Sequence, residues 1–415
     1  MIGEAQETFA AKVFDRERWA RLADGLAVAL AVSLPWSTSA TGILVALWLV
    51  ALVPTLDVAS VRRELATPAG GLPVLLWALG VIGMAWANVP LSERLAGLGS
   101  FHKLLCIPLL MAQFRRSDCG RWVMIGFLVS CSLLLATSWL LELFPSLQTT
   151  GKPQGIPVKD YISQSTMFTA CIFMLVYVAL DRWRDGHKVI ALMLVLLAVM
   201  FLLNIFQVST SRTALVVIPI LLLLFGFKQL TWKGMSGLIA IAVVLTTAAW
   251  PVSSNLQLRV TTLFNEVRNY RPDAPLTSAS ERLEFWKKSV GFIADAPVIG
   301  HGTGSIGEQF RQSIAGQTGV GGLAAANPHN QTLAVAIQLG FIGTALLFAM
   351  WASHLLLFRG TGLAPWIGMV VVVQNIVSSL FNSHLFDFTH GWAYVVGVGI
   401  AGGFVLRNAR NVVPS

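Results

Sequence analysis

Charge is scarce in this chain: only 12% of its 415 residues are Asp, Glu, Lys or Arg, against 55% hydrophobic and a mean hydropathy of +0.70. Soluble domains carry roughly 25% charged residues, so this composition excludes one. Cysteine is equally sparse. Cys106, Cys119, Cys131 and Cys171 all lie in or beside apolar runs, which leaves neither a disulfide framework nor metal-spaced thiols. The phosphate-binding pattern G-x-x-x-x-G-K-[ST] is missing, and Gly300-His301-Gly302-Thr303-Gly304 follows Pro297 as a turn. No repeat of fixed period recurs, which argues against an inverted-repeat transporter without removing it. Basic residues do not interleave with aromatics on a soluble patch, so nucleic acid is no partner.

What the chain has in abundance is apolar runs near the ~20 residues a membrane-crossing helix needs. The fold class read from them is an all-α integral membrane protein of about twelve transmembrane helices, over residues 21–34, 40–56, 72–88, 96–114, 122–144, 161–180, 189–206, 210–227, 235–250, 329–358, 363–381 and 391–406. The first run follows a charged start without a small-residue cleavage site and reads as a retained helix. With the amino terminus inside, Arg62, Arg63, Arg115, Arg116, Arg182, Arg184, Lys228 and Arg407 all fall inside. The net charge of +9 is then mostly topological.

One polar stretch interrupts the pattern. The organisation is residues 1–250 with helices one to nine, an outer loop over 251–328 carrying short amphipathic helices, and 329–415 with helices ten to twelve. The loop holds Arg259, Arg268, Arg271, Arg282, Lys287, Lys288 and Arg311 beside Glu266, Asp273, Glu281, Glu284, Asp295 and Glu308. Within it, Ser278 and Glu281 have capping-box spacing, and Leu283, Trp286, Val290 and Ile293 recur at helical spacing, predicting a helix able to lie on the bilayer.

Three residues stand out where loop meets membrane. Arg212 opens a span after Ser209-Thr210-Ser211, on the side that topology depletes of cations; the alternative is a snorkelling anchor. Arg282 sits near the predicted helix start, where a solvated face charge is the alternative. His329 follows Asn327 and Pro328, which read as cap and first helical residue, so that the helix dipole should keep the imidazole neutral as a general base requires. Lys103, inside an apolar run, is a weaker candidate for meeting an anion, and His384, Asp387 and His390 lack tight metal-ligand spacing. No metal or other cofactor is called for.

In their order, Ser209-Thr210-Ser211-Arg212-Thr213-Ala214, Glu281-Arg282 with Trp286, Pro297-Val298-Ile299-Gly300-His301-Gly302, and Pro328-His329-Asn330 with Leu333 and Gly340 resemble the O-antigen ligase family, whose core is shared with O-antigen polymerases and bacterial O-linked oligosaccharyltransferases. The resemblance covers roughly residues 207–346. It implies a glycosyltransferase of the bacterial inner membrane that moves O-antigen polysaccharide from undecaprenyl diphosphate to a sugar of the lipid A core on the periplasmic face. Arg212 and Arg282 would bind the diphosphate and His329 would act as base, with Asn330 nearby. His301 departs from the pattern, as a second site histidine or a turn residue. A polymerase remains open, as does an anion or lipid transporter.

Overall fold

The computed structural model describes residues 15–149, 151–252, 257–258, 261–262, 265, 268, 278–314 and 325–412. Arg259, Glu266, Arg271 and Asp273 of the polar stretch lie outside the described residues. Every regular element among the described residues is helical: α1 (Arg16–Ser33), α2 (Thr38–Leu52), α3 (Val58–Leu65), α4 (Pro68–Gly83), α5 (Leu91–Gly99), α6 (Cys106–Phe114), α7 (Gly120–Leu143), α8 (Tyr161–Arg184), α9 (Lys188–Gln207), α10 (Arg212–Gln229), α11 (Trp232–Val252), α12 (Ser278–Asp295), α13 (Ile306–Ser313), α14 (Gln331–Leu357), α15 (Leu363–Ser378) and α16 (Phe388–Val412).

Seven of the described helices are long and apolar enough to cross a membrane, or nine if each of two bent pairs is one span. The sequence expectation of twelve exceeds this for visible reasons. α1 holds Arg16, Glu17, Arg18, Arg21 and Asp24, and α15 has only 16 residues. The run read as one span over 96–114 is bent by 43°, with the turn His102–Leu105 ahead of α6, and α4 meets α3 at 87°. The chain is a multi-pass membrane protein.

Consecutive helices pack as neighbours, α1 with α2, α8 with α9 and α15 with α16, while α16 also packs on α6 and α14 on α4. One face gathers the cations. Arg16 and Arg116 both reach the Thr55 carbonyl and Asp57, Arg115 pairs with fully buried Glu64, Arg407 pairs with Asp118, and Lys228 donates to the carbonyls of Phe358, Arg359 and Gly360. On the opposite face stand the starts of α8, α10, α14 and α16, each set where a polar side chain meets the bundle. Asp160, Ser211 and Asn330 cap the first three by accepting from backbone N–H groups two or three residues on.

α14 is broken, which the sequence reading of an unbroken span did not anticipate. Gly340 adopts φ 59° and ψ −154°, a conformation essentially confined to glycine. A break at membrane depth leaves backbone groups that lipid cannot satisfy. The segment Pro297–Gly304 satisfies them. The N–H groups of His301 and Gly302 donate to the carbonyls of Ile337 and Gln338, and those of Phe341 and Ile342 donate to Pro297 and Val298. Gly304 N donates to Gln338 Oε1, and Trp86 Nε1 donates to the Gly300 carbonyl. The glycine-rich turn is a plug for the broken helix.

Candidate active site

α12 packs against α14 through a small apolar cluster of Phe285, Phe292, Ile306, Phe310, Ala334 and Ile337. The stripe buried against the protein is thus Phe285, Ser289 and Phe292, while Leu283, Trp286, Val290 and Ile293, expected as a face able to lie on the bilayer, are half-buried or exposed. Val290 is 61% exposed. Aromatic bulk decided the face: Phe285 and Phe292 each meet the ring of Phe310 edge-on, at 5.3 and 5.2 Å. Glu284, paired with no apolar stripe in the sequence, is buried beside them, while Lys287 is exposed as a solvated face charge should be. The side chain of Ser278 lies outside what is described.

This docking carries Arg282 and His329 together. The His329 ring lies nearly parallel to Phe285, 20° between planes and 6.0 Å between centroids. Burial lowers its pKa below the ordinary histidine value; the hydrogen bond with Asn382 opposes that, and the nearby Arg282 charge lowers it further against Glu281. The neutral imidazole expected from the helix dipole therefore has another cause. α14 begins at Gln331 with Asn330 as its cap, and His329 precedes it at φ 52°. Asn327 is no helix cap: its Oδ1 accepts from the His329 N–H at 2.8 Å, an Asx turn that sets this left-handed residue.

Asn330 works as a cap, with Oδ1 accepting from Leu333 N and Nδ2 donating to the Leu380 carbonyl. Arg212 is the first residue of α10, half-buried, beside Ser211, whose hydroxyl lies 2.7 Å from that of Ser165. α10 packs on α8, α11 and α15. His301 joins the plug: its Nε2 donates to the Phe292 carbonyl at 2.7 Å, the turn-residue alternative. Lys103 has its ammonium within 3.2 Å of three carbonyls, Leu385, Phe386 and Asp387. It straps the loop before α16, and those acceptors occupy the donors an anion would need.

That loop adds residues that spacing alone did not single out as a unit. His384 and His390 stack at 4.0 Å, and His390 Nδ1 lies 2.6 Å from Asp387 Oδ1. Burial alone would raise the Asp387 carboxyl, but hydrogen bonds and charge from His390 hold it well below the usual carboxylate range. Burial, with His390, pushes His384 well below the ordinary histidine value, and Arg282 and His329 also bear on it. Among the described residues no group of three or more His, Cys, Asp or Glu could hold a metal ion. Sequence reasoning missed Asn382 and Phe285; the repeated Asn-x-His in Asn327-Pro328-His329 and Asn382-Ser383-His384 was the available signal.

Beside this cluster a cavity of about 360 Å³ runs between α1, α7, α8, α15 and α16. It extends from Arg121 and Phe404 near the cationic face to Thr166, Gln374, Asn375 and His390. Its walls between are apolar.

A comparison with curated proteins finds no match. A family profile described as O-Antigen ligase matches residues 197–348, a stretch that includes Arg212, Arg282, His301, His329 and Asn330 and leaves out Lys103 and the histidines before and within α16. The matched stretch runs from the middle of α9 into the second half of α14, and over it this membrane protein is similar to the O-antigen ligase family.

Proposed function

We propose that the protein is an O-antigen ligase, transferring polysaccharide from undecaprenyl diphosphate to a sugar hydroxyl of the lipid A core. The observation that carries this reading is the pairing, within the matched stretch, of a half-buried imidazole of lowered pKa with Arg282 on the helix that stacks against it. A diphosphate is already a good leaving group and needs charge neutralisation, which Arg282 from α12 and Arg212 from α10 supply as planar donors. The attacking hydroxyl needs a base, and His329 takes its proton as the bond to the anomeric carbon forms and the bond to the diphosphate oxygen breaks.

In this reading α1, α11 and α15 cross the membrane besides the nine spans above, giving twelve. Residues 251–328 then form the outer loop, the cationic face is cytoplasmic, and the site faces the periplasm of the inner membrane. The apolar cavity along α15 suits a lipid chain whose head lies at its polar end.

The test is transfer by the purified protein in bilayers supplied with carrier-linked polysaccharide and lipid A core. Polysaccharide on the core, reduced by about two to four decades in His329→Ala, is the expected result. Longer carrier-linked chains with no core product would make it a polymerase, and lipid flux without any covalent product would make it a transporter.

A further inference from the structure

His329 Nδ1 stands 3.0 Å from Asn382 Oδ1 in the connection between α15 and α16. An amide has one accepting and one donating end, and its other partners decide which is which. The backbone N–H of Ser383 can only donate, and it reaches this same Asn382 atom at 2.9 Å. Asn327 Nδ2 reaches it at 3.1 Å. The orientation of Asn327 is set separately, because its Oδ1 accepts from the His329 backbone N–H at 2.8 Å and from Ser383 Oγ at 2.7 Å. Two asparagines thus fix one another, and the atom facing the imidazole is an oxygen. An oxygen there requires a proton on Nδ1.

We propose that Asn382 is a positioning residue that holds His329 as its Nδ1-protonated tautomer, leaving the Nε2 lone pair to receive the proton of the attacking hydroxyl. This rests on His329 being the base. The other charged and titratable groups around the ring are Arg282 and Glu281 from α12 and His384 from the loop, with Asp387 and His390 behind it. The choice of an amide has a chemical reason. A carboxylate would fix the same tautomer, but it would favour the imidazolium, a cation unable to accept a proton, and would set a negative charge beside the donor's diphosphate. A neutral acceptor orients the ring without either cost.

Nitrogen-15 NMR of histidine-labelled protein in bilayers tests this without any turnover. The His329 signals, assigned by their loss in His329→Ala, should show a protonated Nδ1 and a bare Nε2 in the unsubstituted chain. In Asn382→Leu, which keeps the bulk and removes the acceptor, the tautomers should mix, with kcat lower by up to about four decades, the loss that follows when a base is held wholly in the wrong tautomer, and KM for either lipid within about threefold. Asn382→Asp should restore most of kcat at high pH while moving the acid limb of the rate profile up by about 1–3 pH units. A protonated Nε2 in the unsubstituted protein, or an unchanged tautomer and rate in Asn382→Leu, overturns the proposal. Should Asn382→Leu fail to fold, the unsubstituted spectrum and Asn382→Asp still decide. Parent-rate transfer by His329→Ala is a different failure: it removes the base while leaving the tautomer result standing.

Discussion

Replacing Gly340 by alanine should release the plug Pro297–Gly304 from the broken helix. The backbone at φ 59° and ψ −154° costs a residue with a side chain about 1–3 kcal/mol. The new Cβ would lie 2.4 Å from the carbonyl carbon and oxygen of Val298, where non-bonded carbons need about 3.5 Å or more. The segment must therefore retreat by about 1 Å, which carries the Phe341–Pro297 bond at 2.8 Å and the Ile342–Val298 bond at 3.3 Å beyond hydrogen-bonding distance. Each buried group left unsatisfied costs about 1–3 kcal/mol, so the local loss is about 3–9 kcal/mol, comparable with the ~5–15 kcal/mol that holds a whole domain. Opening the segment costs less than unfolding the bundle. Hydrogen exchange at 297–304 and 337–342 should therefore quicken far more than exchange in α8 and α16, and transferase activity should fall. Gly291→Ala, where a Cβ meets nothing within 4 Å, should be silent or slightly stabilising. Unchanged exchange in Gly340→Ala, with a melting temperature within about 1 °C of the parent, would refute the reasoning.

Arg282→Lys and Arg212→Lys should each lose most transfer activity, because a point charge cannot reproduce a planar fork, whereas Lys287→Ala should be nearly silent; donor binding and turnover measured side by side decide this, and full activity in both lysine variants would end the clamp. Lys103→Met should lower thermal stability by several kcal/mol, about 1–3 for each carbonyl it abandons, with little change in donor affinity in the fraction that folds; the reverse outcome would restore Lys103 as an anion ligand. The rate profile should hold level from neutrality down to a limb below the ordinary histidine value of about 6.5, since a lowered pKa keeps the imidazole neutral until the pH falls through it. A limb above that value would mean that burial and Arg282 do not govern the base.

Membrane class, the run of helices and the position of Arg212 at a helix start were legible because apolar length and capping are local properties. His329 and Arg282 could be named from their places beside the loop, but their meeting could not, since it depends on Phe285 docking against α14. The protein-facing side of α12 was hidden for the same reason: Leu283, Trp286, Val290 and Ile293 stand out as the apolar stripe in isolation, and only Phe310 and Ile337 show why Phe285 and Phe292 are buried. Lys103 read as a possible anion site because its acceptors are carbonyls some 280 residues away. Backbone acceptors carry no sequence signature. The break in α14 was hidden likewise, since a single glycine in an apolar run also fits an unbroken helix.

The short first segment of α14 belongs to two hydrophobic bodies at once. Ala334 and Ile337 pack into the small cluster under α12 and α13, while Val335 and Leu339 pack into the main bundle. A cluster held by six buried residues should open at a lower free energy than the much larger bundle core. Its opening carries Arg282 and Phe285 away together, so the ring of His329 loses its stacking partner and its neighbouring cation in a single event. Under the ligase reading Arg282 and His329 would then act together or not at all, which would leave no half-formed site in which an activated donor could be lost to water.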